Sequence, residues 1–255
     1  MSAMQIAGTA ALVTGAASGL GAATAAALSE LGAVVTGVDL PTAVDKAEPP
    51  TGVTLTAADV TSDEQVAAVV QTLRAGSAPL RIVVNCAGIV RGARILGKSG
   101  AHDLEVFRTV LMVNLLGSFN VLRLAAQAIA ATEPDAGGQR GVIVNTASVA
   151  AFEGQIGQIA YSASKGGVVA MTVPAARDLA QHGIRVNAIA PGIVDTPMMA
   201  SITDEYRENL AAGVPFPKRL GTPAEYAQLV VMIVQHDYLN GETIRMDGAL
   251  RMAPR

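Results

Sequence analysis

The stretch TAALVTGAASGLGAATAAALSELGAVVTGVD, residues 9–39, decides the fold. It reads as a short apolar strand (AALVT), a glycine turn (GAASGLG), an Ala-rich helix to about Leu31 and a second strand (AVVTGVD), which together make a βαβ unit. Gly15, Gly19 and Gly21 are spaced G-x-x-x-G-x-G. Glycines so placed let the backbone turn tightly and approach a diphosphate resting on the N-terminus of the following helix. Asp39 ends the second strand, eighteen residues after Gly21. A carboxylate there can bind both ribose hydroxyls of NAD and would repel the 2′-phosphate of NADP. Leu40 follows it, and the glycine turn holds no Arg or Lys to offset that repulsion, so NAD is the expected cofactor. The plainer reading makes Asp39 a turn-forming acid before Pro41.

Strands and helices go on alternating outward from this unit. Residues 41–52 read as a loop, and GVTLTAADV as a third strand ending at Asp59 and Val60. A helix capped near Thr61 or Ser62 runs to about Ala75, and RIVVNCAG is the fourth strand. Its small residues Cys86 to Gly88 would let a cofactor pass close to the backbone, and Cys86, with no His beside it, reads as a packed residue rather than a nucleophile. Residues 91–103 form a glycine-rich loop carrying Arg91, Arg94 and Lys98, a candidate mouth for the phosphates of coenzyme A. Leu104 to Ala131 is helical, with Asn114 in apolar company. VIVNTAS is a strand, a helix begins near Ile159, and GIRVNAIA is broken by Pro191 and Gly192 at the end where open parallel sheets bind ligands. Ser201 to about Phe216 reads as a short helix within a lid at about 194–217, Pro223 to about Gln235 as a helix and GETIRMDG as a final strand. The expected fold is α/β, a single domain over residues 1–255 with a doubly wound parallel sheet.

The chemistry-bearing stretch is SVAAFEGQIGQIAYSASK, residues 148–165. It offers a hydroxyl (Ser148), a phenol (Tyr161) and an amine (Lys165), with Glu153 the only charged residue between Ser148 and Lys165. On a helix Tyr161 and Lys165 stand at i and i+4, on one face. A neighbouring ammonium favours phenolate and would lower the pKa of Tyr161, making it a general acid/base. Ser148, at the end of an apolar strand, can approach the same point and hold a substrate oxygen. A lone Y-x-x-x-K is otherwise most often a surface pair.

Half the residues are apolar (51%) and only 15% are charged, a core-rich composition that argues against disorder. The net charge of −3, without a dense Lys/Arg stripe, points away from nucleic acid. Cys86 is the only cysteine, which excludes an internal disulfide. His102, His182 and His236 lack partners at metal-ligand spacing, so no metal site is expected. The N-terminal stretch has few large apolar side chains and no basic leader, so neither a membrane span nor a signal is read there and a cytoplasmic location is expected. The helix from Leu115 on carries one cation, Arg123, and no charge lies between Lys165 and Arg177. Helices without a charged face need burial on all sides, which predicts packing against another subunit.

TGAASGLG, Asp39, NCAG, Asn114, Ser148, Tyr161-x-x-x-Lys165 and PGIVDT in combination are far more specific than any part. The chain resembles the short-chain dehydrogenase/reductase family over essentially its whole length. The resemblance implies a Rossmann fold with a seven-stranded parallel sheet, a homotetramer, NAD as cofactor and oxidation of a small-molecule secondary alcohol, with 3-hydroxyacyl-CoA as substrate. A hydroxysteroid or other hydrophobic alcohol is the alternative substrate, and a 3-oxoacyl carrier-protein reductase is disfavoured by Asp39. A non-catalytic NAD-binding scaffold in a larger complex is the reading from another class. By resemblance, Tyr161 is the acid/base, Lys165 lowers its pKa and binds the nicotinamide ribose, Ser148 holds the substrate oxygen and Asn114 supports a relay water. Ser18 and Leu20 meet the cofactor near Gly15, Gly19 and Gly21, Asp39 the ribose, Asp59 and Val60 the adenine, Cys86 and Gly88 the ribose region, and Gly192, Val194 and Thr196 the nicotinamide end. Gln155 borders the substrate.

Overall fold

Strand β1, Ala10–Thr14, is buried at every position, as a strand covered on both faces must be. It feeds helix α1 (Gly19–Glu30) and strand β2 (Val34–Asp39), as the sequence predicts. The computed structural model describes residues 4–98, 100–199 and 203–254. A single turn of helix, α2 (Pro41–Val44), interrupts the expected loop, with Pro41 in the first turn where its missing N–H costs nothing. Strand β3 (Val53–Ala57) stops short of Asp59 and Val60, and α3 (Asp63–Ala75) is capped by Ser62, whose Oγ accepts from Gln65 N. Strand β4 is Leu80–Asn85. Residues 91–103, read as loop, contain a small antiparallel pair, β5 (Leu96–Gly97) with β6 (Gly100–Ala101).

Helices α4 (Leu104–Leu111) and α5 (Ser118–Ala130) are one run joined by a π-helical turn, Met112–Gly117. This run has the length and mean hydropathy (1.5) of a membrane span, and half of its most apolar window is buried inside the fold. Strand β7 (Gly141–Thr146), helix α6 (Ile159–Ala180) and strand β8 (Ile184–Pro191) follow. Within the proposed lid, α7 is only Asp204–Ala212; the expected helix start at Ser201 lies outside the described residues, and its expected end at Phe216 falls beyond the helix. Helix α8 (Pro223–Gln235), with a capping box between Thr222 and Glu225, and strand β9 (Thr243–Met246) end the fold.

The seven strands pair in parallel in the order β3-β2-β1-β4-β7-β8-β9. One core layer joins the sheet to α3, α5 and α6 through Val66, Val70, Val121, Ile129 and Ala176. The other joins it to α1 and α8 through Leu28, Tyr226, Val230 and Ile233. Strand order reverses between β1 and β4, and the crevice at such a point, beyond the C-terminal strand ends, is where doubly wound sheets bind ligands.

Candidate active site

The crevice opens on the glycine turn. A Cβ on Gly21 would lie 2.1 Å from the Gly15 carbonyl oxygen, and one on Gly15, whose φ is +66°, 2.8 Å from Ala87 N. Only glycine closes the turn this tightly against the end of β4. Thr14 fixes the same junction from β1, its Oγ1 accepting from Cys86 N and Ala87 N at 3.1 Å each. Ser18 makes no side-chain cap on α1, and the first turn of α1 holds no acid. The free N–H groups and positive end of that helix are left to whatever occupies the cavity. Asp39 Oδ2 accepts from Ala17 N at 3.0 Å and Oδ1 from Leu40 N at 2.9 Å. The carboxylate therefore holds its own strand end before Pro41 through Leu40 N, as the plainer reading has it, and also braces the glycine turn through Ala17 N, while the residue lines the cavity. Asp59 accepts from Thr61 N and Oγ1, and the carbonyl of Val60 accepts from Asn120 Nδ2, so both rim positions are held.

The other end is built by β7 and α6. Ser148 caps a 3₁₀ turn, Val149–Ala151, its Oγ accepting from Ala150 N at 3.1 Å. Ser148 and Tyr161 line the same cavity. Lys165, one turn along α6, is buried and donates from Nζ to the Thr146 carbonyl at 2.6 Å, with Nζ 5.9 Å from the Tyr161 ring centre. The sequence reading expected this ammonium to lower the Tyr161 pKa. The structure shows a different balance: burial pushes the phenol above its ordinary value, and the Ser148 hydrogen bond draws it part of the way back. Burial also pushes Lys165 down to about 8. Desolvation penalises the charged form of both groups, and the ammonium spends a proton on Thr146 rather than on the phenol.

A cavity of about 500 Å³ runs between the two ends, lined by Gly15, Ser18, Gly19, Leu20 and Gly21, by Asp39, Asp59 and Val60, by Cys86 and Gly88, by Ser148, Tyr161 and Lys165, and by Gly192, Val194 and Thr196. Two expected residues stand elsewhere. Asn114 lies in the π turn behind the wall: its amide donates to Ile89 O and Ser164 Oγ while its Oδ1 accepts from Ile89 N. Its side chain therefore positions the segment after Gly88 and is spent on protein partners. Gln155 points away, donating to Ala253 O at 3.0 Å, and Gln158, three residues on, lines the cavity instead. The Cys86 thiol is pushed up by burial, consistent with a packed residue. Among the described residues no cluster of three His, Cys, Asp or Glu side chains is arranged to hold a metal.

Sequence reasoning missed Thr14, Thr146, Tyr226 and Met252. Thr146 Oγ1 donates to Asn85 O at 2.6 Å and is 2.7 Å from the buried Tyr226 hydroxyl, which fixes the carbonyl that receives Lys165. Met252 lines the cavity from the far end of the chain.

A model of the short chain dehydrogenase family matches residues 9–207. The chain is 53% identical over 252 residues to a 3-hydroxyacyl-CoA dehydrogenase type-2 of Bos taurus, and 51% identical over the same length to that of Homo sapiens, covering 97% of both chains in each case. The crystal structure of a 3-hydroxyacyl-CoA dehydrogenase type-2 from Mycobacterium avium superposes with a TM-score of 0.90 at 41% identity, over 97% of this chain and 98% of that one.

Proposed function

The chain belongs to the short-chain dehydrogenase family and is an oxidoreductase, and on that premise we propose that it oxidises 3-hydroxyacyl-CoA to 3-oxoacyl-CoA with NAD. The observation that carries this reading is one cavity lined by Ser148, Tyr161 and Lys165 at one end and by Asp39 at the other. The residues present fit a nicotinamide dinucleotide. The uncapped N-terminus of α1 suits a diphosphate, the Asp39 carboxylate suits a ribose diol and is unsuited to a 2′-phosphate, and Val60 offers an apolar wall to a base. Bound there, the dinucleotide supplies the hydride acceptor. Ser148 donates a hydrogen bond to the substrate oxygen, Tyr161 takes the hydroxyl proton as the carbonyl forms, and Lys165 orders the strand end through Thr146.

The test is formation of reduced nicotinamide by purified protein with NAD or NADP against 3-hydroxyacyl-CoAs, a 17β-hydroxysteroid and plain secondary alcohols. Turnover confined to the steroid, or to NADP, would overturn the assignment.

Arg91, Arg94 and Lys98 stand exposed on the loop that Ala93 pins to the cavity rim through a hydrogen bond to Gly157 O at 2.8 Å. In this reading they receive the phosphates of coenzyme A. Changing all three to Ala is expected to raise KM for an acyl-CoA about tenfold, from roughly 0.5 kcal/mol for each exposed contact, while KM for a plain alcohol stays put. An unchanged acyl-CoA KM rejects that role.

We also infer a homotetramer. Leu116, Phe119 and Val173, on the π turn, α5 and α6, are 45%, 47% and 41% exposed, and such apolar faces are buried when copies associate. A monomeric sedimentation profile at micromolar concentration would contradict it. A cytoplasmic setting belongs to the same proposal, supported by the single cysteine.

A further inference from the structure

Glu153, the one acid between Ser148 and Lys165, has no part in the chemistry above, and Gln155 turns its back on the cavity. Both are occupied by the same distant segment, residues 247–254. Glu153 Oε2 accepts from Met252 N at 3.2 Å, Gln155 Nε2 donates to Ala253 O at 3.0 Å and Ile156 N to Pro254 O at 3.0 Å. Charges reinforce the junction. Arg245, at the end of the sheet in β9, meets Glu153 with both terminal nitrogens (3.0 and 3.1 Å) and Asp247 through Nε (2.8 Å). Arg251 bridges the same two acids at 3.3 and 3.1 Å. The guanidinium of Arg245 also lies 5.3 Å over the Phe152 ring.

The segment makes a tight turn before it crosses. Leu250 N donates to Asp247 O at 3.0 Å, and Gly248 and Ala249 have φ of +59° and +65°. Gly248 O accepts from Phe216 N at 3.3 Å, so the segment is stitched to the stretch after α7 as well. It spans from that stretch to the loop that carries Ser148. Within it, Met252 is the residue that lines the cavity. Its backbone N is held by Glu153, five residues past Ser148, which ties it to the end of the cavity that carries Ser148 and not to the end that carries Asp39.

We propose that residues 247–254 form a strap that closes the substrate end of the cavity, with Met252 setting the length and bulk of the chain admitted and Glu153 anchoring the strap to the loop carrying Ser148. This deepens the dehydrogenase reading and rests on it. The thioether is unbranched and adapts to several partner shapes, which suits a wall meeting flexible chains. Glu153 is a positioning residue: it acts through Met252 N and the arginines and touches no reacting atom.

The experiment is steady-state kinetics with NAD on two homologous series, straight-chain 3-hydroxyacyl-CoAs and straight-chain 2-alkanols, each from short to medium length. Met252→Ala is expected to move the ratio of kcat/KM for the longest to the shortest substrate by about tenfold or more, the scale on which a pocket reads chain carbons, and Met252→Leu by much less. KM for NAD is expected to stay within about twofold, because the cofactor end is untouched. Glu153→Gln is expected to raise KM for the alcohol about fivefold with kcat nearly unchanged, the pattern of lost uniform binding, and Glu153→Asp to recover part of it. A length ratio unmoved by Met252→Ala in both series overturns the strap, as does a Glu153→Gln defect that falls equally on NAD. Wild-type enzyme silent on acyl-CoAs but active on alkanols overturns the substrate assignment instead, while the alkanol series still tests Met252.

Discussion

Tyr161→Phe is expected to lower kcat for alcohol oxidation by about 10³-fold, inside the 10²–10⁴ that a positioned acid/base supplies, and to leave NAD affinity within about twofold. The phenol oxygen is the only part removed. The ring still packs on α6, Ser148 keeps the bond from Ala150 N, and the glycine turn with Asp39 is untouched. Near-normal kcat in a folded variant rejects Tyr161 as the acid/base. The pH dependence sharpens the test. Burial holds the Tyr161 pKa above its ordinary value, so at neutral pH the phenol is protonated, and only its deprotonated form can take the alcohol proton. Wild-type oxidation should therefore climb as pH rises above neutral, whereas reduction, which needs the protonated phenol, stays level there. Tyr161→Phe should flatten the climb. Lys165 titrates in the same window. Its folded pKa of about 8 lies below the ordinary lysine value of 10.5, so the unfolded chain binds the proton more tightly. Burying Lys165 thus costs stability below pH 8, and that cost fades as pH rises from about 8 toward 10.5.

What the sequence disclosed and what it hid divide along sequence separation. The glycine turn, Asp39 and the i,i+4 pair Tyr161 and Lys165 were legible because each is a local pattern whose geometry follows from backbone sterics or helix pitch. The strands were legible because a sheet covered on both faces needs unbroken apolar runs, and the ends of α3 and α8 because Ser62 and Thr222 cap them. The π turn at Met112–Gly117 was not, since VLMVNLLG carries the pattern of an ordinary helix; Asn114 was flagged as a buried polar group, but its partners at Ile89 and Ser164 come from tertiary packing. The direction of the Tyr161 shift is hidden from the sequence for a similar reason. Spacing placed an ammonium near a phenol, but only the fold shows that both are desolvated and that the ammonium donates to Thr146. Tyr226 and Met252 reach the site from the last sixth of the chain, and no local signal marks them.

Arg185 carries the largest expected effect on stability. It is the second residue of β8, is 5% exposed, and sits where α8 ends. Its NH1 donates to Ile233 O at 2.9 Å and Leu239 O at 3.0 Å, its NH2 to Val234 O at 2.8 Å and its Nε to Gln139 Oε1 at 2.8 Å. The last carbonyls of a helix have no intrahelical donor, and a cation there also meets the negative end of the helix dipole. Burial pulls the guanidinium pKa down, opposed by Asp237 and Asp135, yet the side chain remains charged at any physiological pH. Arg185→Met would fill much the same volume but strand several buried acceptors, at about 1–3 kcal/mol for each one left unpaired. The expected loss is roughly 3–5 kcal/mol, or about 10 °C in Tm for a chain of this size. Arg185→Lys should fall between, because one ammonium cannot reproduce the planar fork that reaches both α8 and Gln139. Calorimetry checks the first point and kcat at low temperature the second. Arg185 lies near the N-terminal end of an eight-residue strand, about 20 Å from the catalytic end at the rise of a β-strand, so the folded variant should turn over at the wild-type rate. A Tm within about 2 °C of wild type would mean that water replaces the guanidinium at the end of α8, and that this helix terminus is less sealed than its buried carbonyls imply.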